Sequence, residues 1–363
     1  MKLLFTVVVL LFTRCCVMSQ PSSQQISVIG YYSGDAAKIV DYPVEKLTHI
    51  IFSFCHLKGN RLWVNNARDT LTIQQLVRLK SRNPSLKVLL SLGGWGGCET
   101  CSPVFSTRKG RKQFARSVKK ASRYFGTDGI DIDWEYPAIP GYPGHAFSAG
   151  DKANFTALVQ ALHKKLGKNK EVSFAAGGFT QFLAASIDWK KVTHLVSRIN
   201  LMTYDLVHGA STISGHHTPL YSTPQQLESA DHAVRFLDSV GVPRNKMVIG
   251  AAFYSRIFDV TSDTLFGLYQ PGKFSRAIPY KNFNLDSLQR ETFIPYWDDT
   301  AKAPYLYSAS KKQLITGDSE QSIISKTNYA VAQKLNGIMF WQLADDKISG
   351  GLLDAIDKVV HQR

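Results

Sequence analysis

Eight short β-rich apolar runs, the amphipathic stretches between them and one oversized connection predict an α/β fold. It is a (β/α)8 TIM barrel with a small α+β insertion. The runs fall at 26–32, 49–54, 87–92, 129–134, 172–176, 198–204, 247–253 and 337–341. Near-continuous apolar strands of this kind suit a parallel sheet covered on both faces. A doubly wound sheet is the lesser alternative.

The connecting stretches carry helix signals. Phe155, Leu158, Val159, Leu162 and Leu166 share one helical face. Thr223 followed by Pro224 and Gln226 reads as an N-cap, a first-turn proline and a capping-box partner, and Gly241 can end that helix. About 80 residues separate Tyr254 from Asn336, where a simple crossover needs about 30. This stretch is rich in aromatics, Gly and Pro, and reads as an inserted subdomain at 256–317, with a helix near 321–335 returning to the barrel. The barrel itself then takes 20–255 and 318–363. An insertion after the seventh run lies at the C-terminal mouth, where barrel active sites form.

Residues 1–19 read as a secretory leader. Lys2 precedes an apolar run from Leu3 to Phe12, and Val17 and Ser19 suit cleavage after Ser19. The run is about ten residues, short of the roughly 20 that cross a bilayer, and Arg14 before Cys15 does not suit lipid attachment. The expected product is exported to the periplasm or the extracellular space, with no membrane anchor, as a monomer.

Removing Lys2 and Arg14 lowers the formal charge from +15 to +13. The cations are dispersed through amphipathic helices and read as solvated faces, so no nucleic-acid partner is expected. A content of 44% hydrophobic and 20% charged residues marks an ordinary globular chain with a sizeable core. Cys55, Cys98 and Cys101 remain after cleavage. Cys98 and Cys101 can form a disulfide, leaving Cys55 as a buried thiol. A zinc site lacks a fourth ligand and a second cysteine pair. Asn154-Phe-Thr156 is a glycosylation sequon in a eukaryotic setting.

The most informative segment is Asp128-Gly-Ile-Asp131-Ile-Asp133-Trp-Glu135-Tyr-Pro137. Asp131, Asp133 and Glu135 alternate along a strand, so they share one face about 6.5 Å apart, while Ile130 and Ile132 face the covering helices. Carboxylates crowded inside a barrel raise at least one apparent pKa, as a general acid near neutral pH requires. A solvated acidic strand conflicts with the alternating isoleucines. A divalent-metal site is the stronger competitor, because carboxylate clusters also bind calcium or magnesium.

This segment matches, at every fixed position, the DGxDxDxE signature of family 18 glycoside hydrolases, the chitinases and their relatives. Ser91-Leu-Gly-Gly-Trp95 resembles the family's SxGG segment, and Met202-Thr-Tyr204-Asp205 its MxYD. Gly215–Leu220 and Gly337–Trp341 resemble later segments. The alanines and glycines at 175–178 depart from a proline-containing segment common among relatives.

The resemblance implies a chitinase that needs neither metal nor organic cofactor and takes chitin or N-acetylglucosamine oligosaccharides. It implies substrate-assisted hydrolysis with Glu135 as acid and then base, an exception to the two-carboxylate scheme. Asp133 would orient the substrate acetamide and Asp131 share a proton with it. Tyr204 would hold the acetamide oxygen, and Asp205 and Arg256 would bind sugar hydroxyls. Trp341 would form the floor, flanked by Tyr31, Phe54 and Met202, with Trp95 on the leaving-group side and Tyr136 lining the groove. Asp128 would be structural. The same resemblance admits an endo-β-N-acetylglucosaminidase acting on other glycans, or a non-catalytic chitin-binding lectin.

Overall fold

The computed structural model describes residues 26–361. The expected leader, with Cys15 and Cys16, lies outside the described residues. Fourteen strands and ten α-helices are present among the described residues. The strands are β1 (Ser27–Tyr32), β2 (His49–Lys58), β3 (Arg61–Trp63), β4 (Lys87–Gly93), β5 (Gly129–Asp133), β6 (Glu171–Gly177), β7 (Arg198–Met202), β8 (Met247–Ala252), β9 (Tyr254–Val260), β10 (Gly272–Pro279), β11 (Ile294–Asp298), β12 (Ala303–Ser308), β13 (Gln313–Thr316) and β14 (Gly337–Trp341). The helices are α1 (Ala67–Arg78), α2 (Cys101–Ser106), α3 (Arg108–Phe125), α4 (Asp151–Leu166), α5 (Thr180–Ala185), α6 (Trp189–Val192), α7 (Ala230–Ser239), α8 (Leu285–Arg290), α9 (Glu320–Ala332) and α10 (Leu352–His361).

Strands β1, β2, β4, β5, β6, β7, β8 and β14 pair in parallel, and β1 pairs with both β14 and β2, closing the eight-stranded barrel. Strand β2 runs past its apolar stretch to Lys58 and folds back on β3 as an antiparallel hairpin. Along β5 the alternation is as the sequence requires. Ile130 and Ile132 are fully buried in the outer core under the helices, and Asp131 and Asp133 are buried on the other face, in the barrel interior. Phe155, Leu158, Val159, Leu162 and Leu166 of α4 are buried together in that outer core.

The helix before β8 starts later than its sequence signal. Thr223 and Gln226 pair with each other in a turn, through Thr223 N–H to the Gln226 carbonyl and Gln226 N–H to the Thr223 carbonyl. The Gln226 amide is committed to the backbone of His216, so it is not available as a capping partner. Ser229 caps α7 instead, accepting from the His232 N–H. Gly241, at φ +86°, follows the helix end as expected.

Between β8 and β14 the chain builds a second, five-stranded antiparallel sheet ordered β10-β9-β13-β12-β11. One face carries Phe258, Val260, Tyr305, Tyr307 and Leu314. The other packs Ile257, Leu306 and Ile315 on Leu288 of α8 and on Phe293. The return helix α9 is tied to the barrel by a fully buried ion pair. Lys326 Nζ lies 2.7 Å from Asp318 Oδ2, and the same carboxylate accepts the Ala252 N–H of β8 at 2.9 Å.

Breaking a buried pair strands the remaining charge in a low dielectric. Lys326→Met is therefore expected to lower unfolding free energy by about 3–5 kcal/mol in denaturant titrations. A loss below about 1 kcal/mol would show that Asp318 finds another partner.

Candidate active site

Towards the C-terminal mouth the barrel interior gathers carboxylates and hydroxyls, apart from a largely buried His49–Glu171–Arg198 cluster at the strand starts. Register places Ser91 of β4 and Ser173 of β6 directly beside Asp131 of β5. Their hydroxyls donate to it, Ser173 to Oδ1 at 2.6 Å and Ser91 to Oδ2 at 3.2 Å. Tyr31 donates to Oδ2 at 3.0 Å and the Asn200 amide to Oδ1 at 3.1 Å. Four donors thus hold a fully buried carboxylate. Burial pushes its pKa up, and the bonds from Ser173, Tyr31 and Ser91 pull the other way.

Asp133, one layer nearer the mouth, has the opposite surroundings. It is 4% exposed, and its Oδ1 is buried with no hydrogen-bond partner among the described residues. Burial first, then the charges of Glu135 and Asp131, push its pKa well above the ordinary value. Its cross-strand neighbour must be glycine. A Cβ on Gly93, which has φ +113°, would lie 2.0 Å from the Asp133 carbonyl oxygen. Gly94 has the same need at φ +81°, because its Cβ would meet the Phe54 ring at 2.4 Å. The SxGG segment thus brings β4 close to β5 and to an aromatic wall.

Glu135 follows the end of β5 and is half-buried at the mouth. Burial pushes its carboxyl up to about 7; the neighbouring Tyr136 hydroxyl opposes this and the charge of Asp205 adds to it. A group that titrates near neutrality can both give and take a proton.

Tyr204 and Asp205 follow β7. Tyr204 is 9% exposed, packs with Tyr31, Met202, Tyr254 and Met339, and its hydroxyl points to the Met339 sulfur at 3.8 Å. Burial and the nearby carboxylates keep this phenol protonated, and so a donor. Asp205 sits in the left-handed region at φ +55°. Its Oδ1 accepts from Tyr254 and from Arg256 Nε, each at 2.6 Å, and lies 3.2 Å from His217 Nδ1. Burial alone would raise its pKa, but the bonds from His217 and Arg256 outweigh it and hold the carboxyl well below the usual carboxylate range. Arg256 is thus a paired guanidinium lying 5.1 Å above the Phe274 ring.

Aromatic rings line the mouth. Trp341, the last residue of β14, stacks on Phe54 with centroids 5.5 Å apart at 14°, and Tyr31 tilts against it at 6.1 Å. Trp95 is 58% exposed, with Tyr136 at 6.3 Å and the edge of Tyr142 at 5.5 Å. Tyr136 is wedged against Phe179 and Phe182. Non-proline cis peptide bonds occur at Ser53–Phe54, Glu135–Tyr136 and Trp341–Gln342, all at this end of the barrel. Just past Trp95, Cys98 and Cys101 are bonded, and Cys55 is buried and free.

Asp128 stands apart from this group. At the start of β5 its Oδ2 accepts the Val88 N–H at 2.7 Å and pairs with Lys80 at 2.6 Å. Ser173, Asn200, Tyr254 and Tyr142 join the site although the sequence does not single them out, and His217 joins it from the segment Gly215–Leu220. The one available signal is a polar residue inside an apolar run, as at Ser173 and Asn200. A cavity of about 510 Å3, lined by residues such as Ser255, Phe283, Leu306 and Gln321, opens on the far face of the second sheet. Its one buried carboxylate, Asp318, is already paired. The clustered carboxylates lie at the mouth instead.

A closed (β/α)8 barrel with alternating carboxylates inside its mouth and aromatic walls above them defines a barrel protein whose candidate site lies at the C-terminal face. The chain belongs to glycosyl hydrolases family 18, whose model matches residues 27–346. Chitinase A1 of Niallia circulans is 34% identical over 304 residues, which cover 76% of this chain but only 43% of that protein. The solved family 18 N-acetylglucosaminidase from Paenibacillus barengoltzii superposes with a TM-score of 0.82 at 34% identity, covering 92% of this chain and 99% of that one. Chitinase ChiA74 from Bacillus thuringiensis gives a TM-score of 0.86 at 26% identity, covering 93% and 70% respectively.

Proposed function

We propose that this protein is a secreted, monomeric chitinase that cleaves β-1,4 bonds between N-acetylglucosamine units with retention of configuration. The carrying observation is the contrast along β5. Asp131 is saturated by four donors, Asp133 carries an unpartnered buried oxygen, and Glu135 titrates near neutrality.

In this reading protonated Glu135 gives its proton to the glycosidic oxygen as the bond to the anomeric carbon breaks. The substrate's own acetamide oxygen attacks that carbon and closes an oxazolinium ring, while the leaving sugar departs with the proton. Asp133 has the open acceptor that an acetamide N–H needs, and its negative form offsets the positive ring. Asp131, whose burial favours its neutral form, takes up the proton Asp133 releases, a hydroxyl of Ser91, Ser173 or Tyr31 turning from donor to acceptor. Tyr204, a fixed donor, holds the acetamide oxygen in line. Glu135, now a carboxylate, removes a proton from water as the water opens the ring.

Trp341 offers its face to the apolar side of the central sugar, with Phe54 and Tyr31 behind it and Met202 below. Trp95 and Tyr136 take the leaving-group side, and Asp205 with Arg256 addresses sugar hydroxyls. No step calls for a metal ion or an organic cofactor. The apolar run at 3–12 supports export.

The test is product release from N-acetylglucosamine hexamers, with and without a chelator, resolving product length and initial anomer. Chelator-insensitive cleavage giving β-anomeric products supports the proposal. α-Anomeric products would replace the substrate-assisted step by single inversion. Release of monomers alone would point to an N-acetylglucosaminidase like the Paenibacillus relative. Binding without cleavage would make the protein a lectin.

A further inference from the structure

Helix α3 carries Arg108, Lys109, Arg111, Lys112, Arg116, Lys119, Lys120 and Arg123, and no acidic residue. At 3.6 residues per turn, all but Arg111 fall within an arc of about 120°. Arg108, Lys119, Lys112 and Arg123 fill one half of this stripe, and Arg116, Lys109 and Lys120 the other. Six of the seven are exposed and Lys119 is half-buried.

None of the seven belongs to an ion pair among the described residues, although eighteen such contacts occur elsewhere, from Lys46 to His361. Arg111, on the other side, turns inward to the Phe105 carbonyl and to Asn154. The opposite face of α3, with Gly110, Phe114, Ala115, Val118 and Ser122, is buried against the barrel. The stripe is therefore a fixed, outward row about 22 Å long, at 1.5 Å per residue over fifteen steps. Like charges at i,i+4 cost a helix stability, so the row concentrates positive charge with no ion pair among the described residues to offset it.

We propose that α3 is a docking surface for a linear anionic polysaccharide, sulfated or carboxylated, separate from the catalytic mouth. A narrow straight stripe matches a flexible chain bearing charge at every sugar or two. A duplex spreads its phosphates over a broad cylinder, and a bilayer offers a plane that a convex helix touches along one line only. The stripe also lacks the row of exposed aromatics that single-stranded nucleic acid stacks on, Tyr124 at its margin being the lone ring. Choosing a polysaccharide rests on the reading of an exported enzyme working among polysaccharides. Failure of that reading appears as absent cleavage, whereas the stripe is read by binding.

The experiment measures binding of the whole protein to heparin, as the sulfated probe, across a salt series. Wild type should bind with a steep negative salt dependence. Lys112→Gln/Arg116→Gln/Lys120→Gln should bind at least about tenfold more weakly near 0.1 M salt, with a log–log slope shallower by about one per charge removed. Lys164→Gln/Lys165→Gln/Lys168→Gln, with the same change in net charge at the end of α4 and beyond, should lose less than about threefold. Hexamer cleavage by both variants should equal that of wild type, which shows that they are folded. Equal weakening of both variants, or none in the first, overturns the stripe as the site. Duplex DNA or anionic phospholipid vesicles binding as tightly as heparin overturns the polysaccharide as its partner.

Discussion

Glu135→Gln is expected to lower kcat on N-acetylglucosamine oligomers by about 10²–10⁴-fold, the usual contribution of a positioned acid, with little change in KM. Glutamine keeps the shape and an N–H donor but has no proton to give. The pH profile carries a second signature. The proton donor is active in its protonated form, and its pKa is pushed up to about 7. Wild-type kcat/KM should therefore fall as pH rises through about 7, and the residual rate of the variant should lack that limb. Stopped-time product assays from pH 4 to 9 read both effects. A variant retaining about a tenth of wild-type kcat would remove Glu135 from the acid role.

Asp133→Asn separates chemistry from folding. Its carboxyl is buried, faces Glu135 and Asp131, and has a raised pKa. A carboxyl whose folded pKa exceeds its unfolded value costs stability as pH rises from the unfolded value through the folded one. Asparagine mimics the protonated form and removes that dependence, so the variant should be at least as stable as wild type at pH 7–8. Its kcat should nevertheless drop about 10²–10³-fold, because an amide cannot become the anion that offsets the oxazolinium charge. Paired denaturant melts and kcat values decide the matter. Parallel loss of stability and activity would make Asp133 a structural residue.

The barrel strands were legible because strands buried on both faces leave continuous apolar runs. The run at 172–176 and strand β6 (Glu171–Gly177) differ by one residue at each end. The extension of β2 to Lys58 was not legible, since His56 and Lys58 break its continuous apolar run and it is held by pairing with β3. The start of α7 was misread because two capping signals lie six residues apart at Thr223 and Ser229, and long-range bonds to His216 decide between them.

At the site, the shared face of Asp131 and Asp133 follows from parity alone. Their opposite environments do not. Ser91 and Ser173 reach Asp131 through strand register, and Asn200 and Tyr31 through barrel closure. Arg256 is expected from the sequence to bind sugar hydroxyls, and its pairing is not legible there, because β9 turns it back onto Asp205. Local pattern fixes which face a side chain takes; contacts across 40 residues or more decide what it meets there.

Strand β9 begins two residues after β8 ends, and it alternates in purpose as well as in facing. Ile257 holds the second sheet to its own helix, while Tyr254 and Arg256 reach across to Asp205. The second sheet is therefore not an exchangeable cassette. An engineer who trimmed the chain from β9 to β13, or transplanted another enzyme's loop there, would leave Asp205 without two of its three partners. A graft that retains the residues from Phe253 to Arg256 keeps this joint and leaves the remainder of the wall open to redesign.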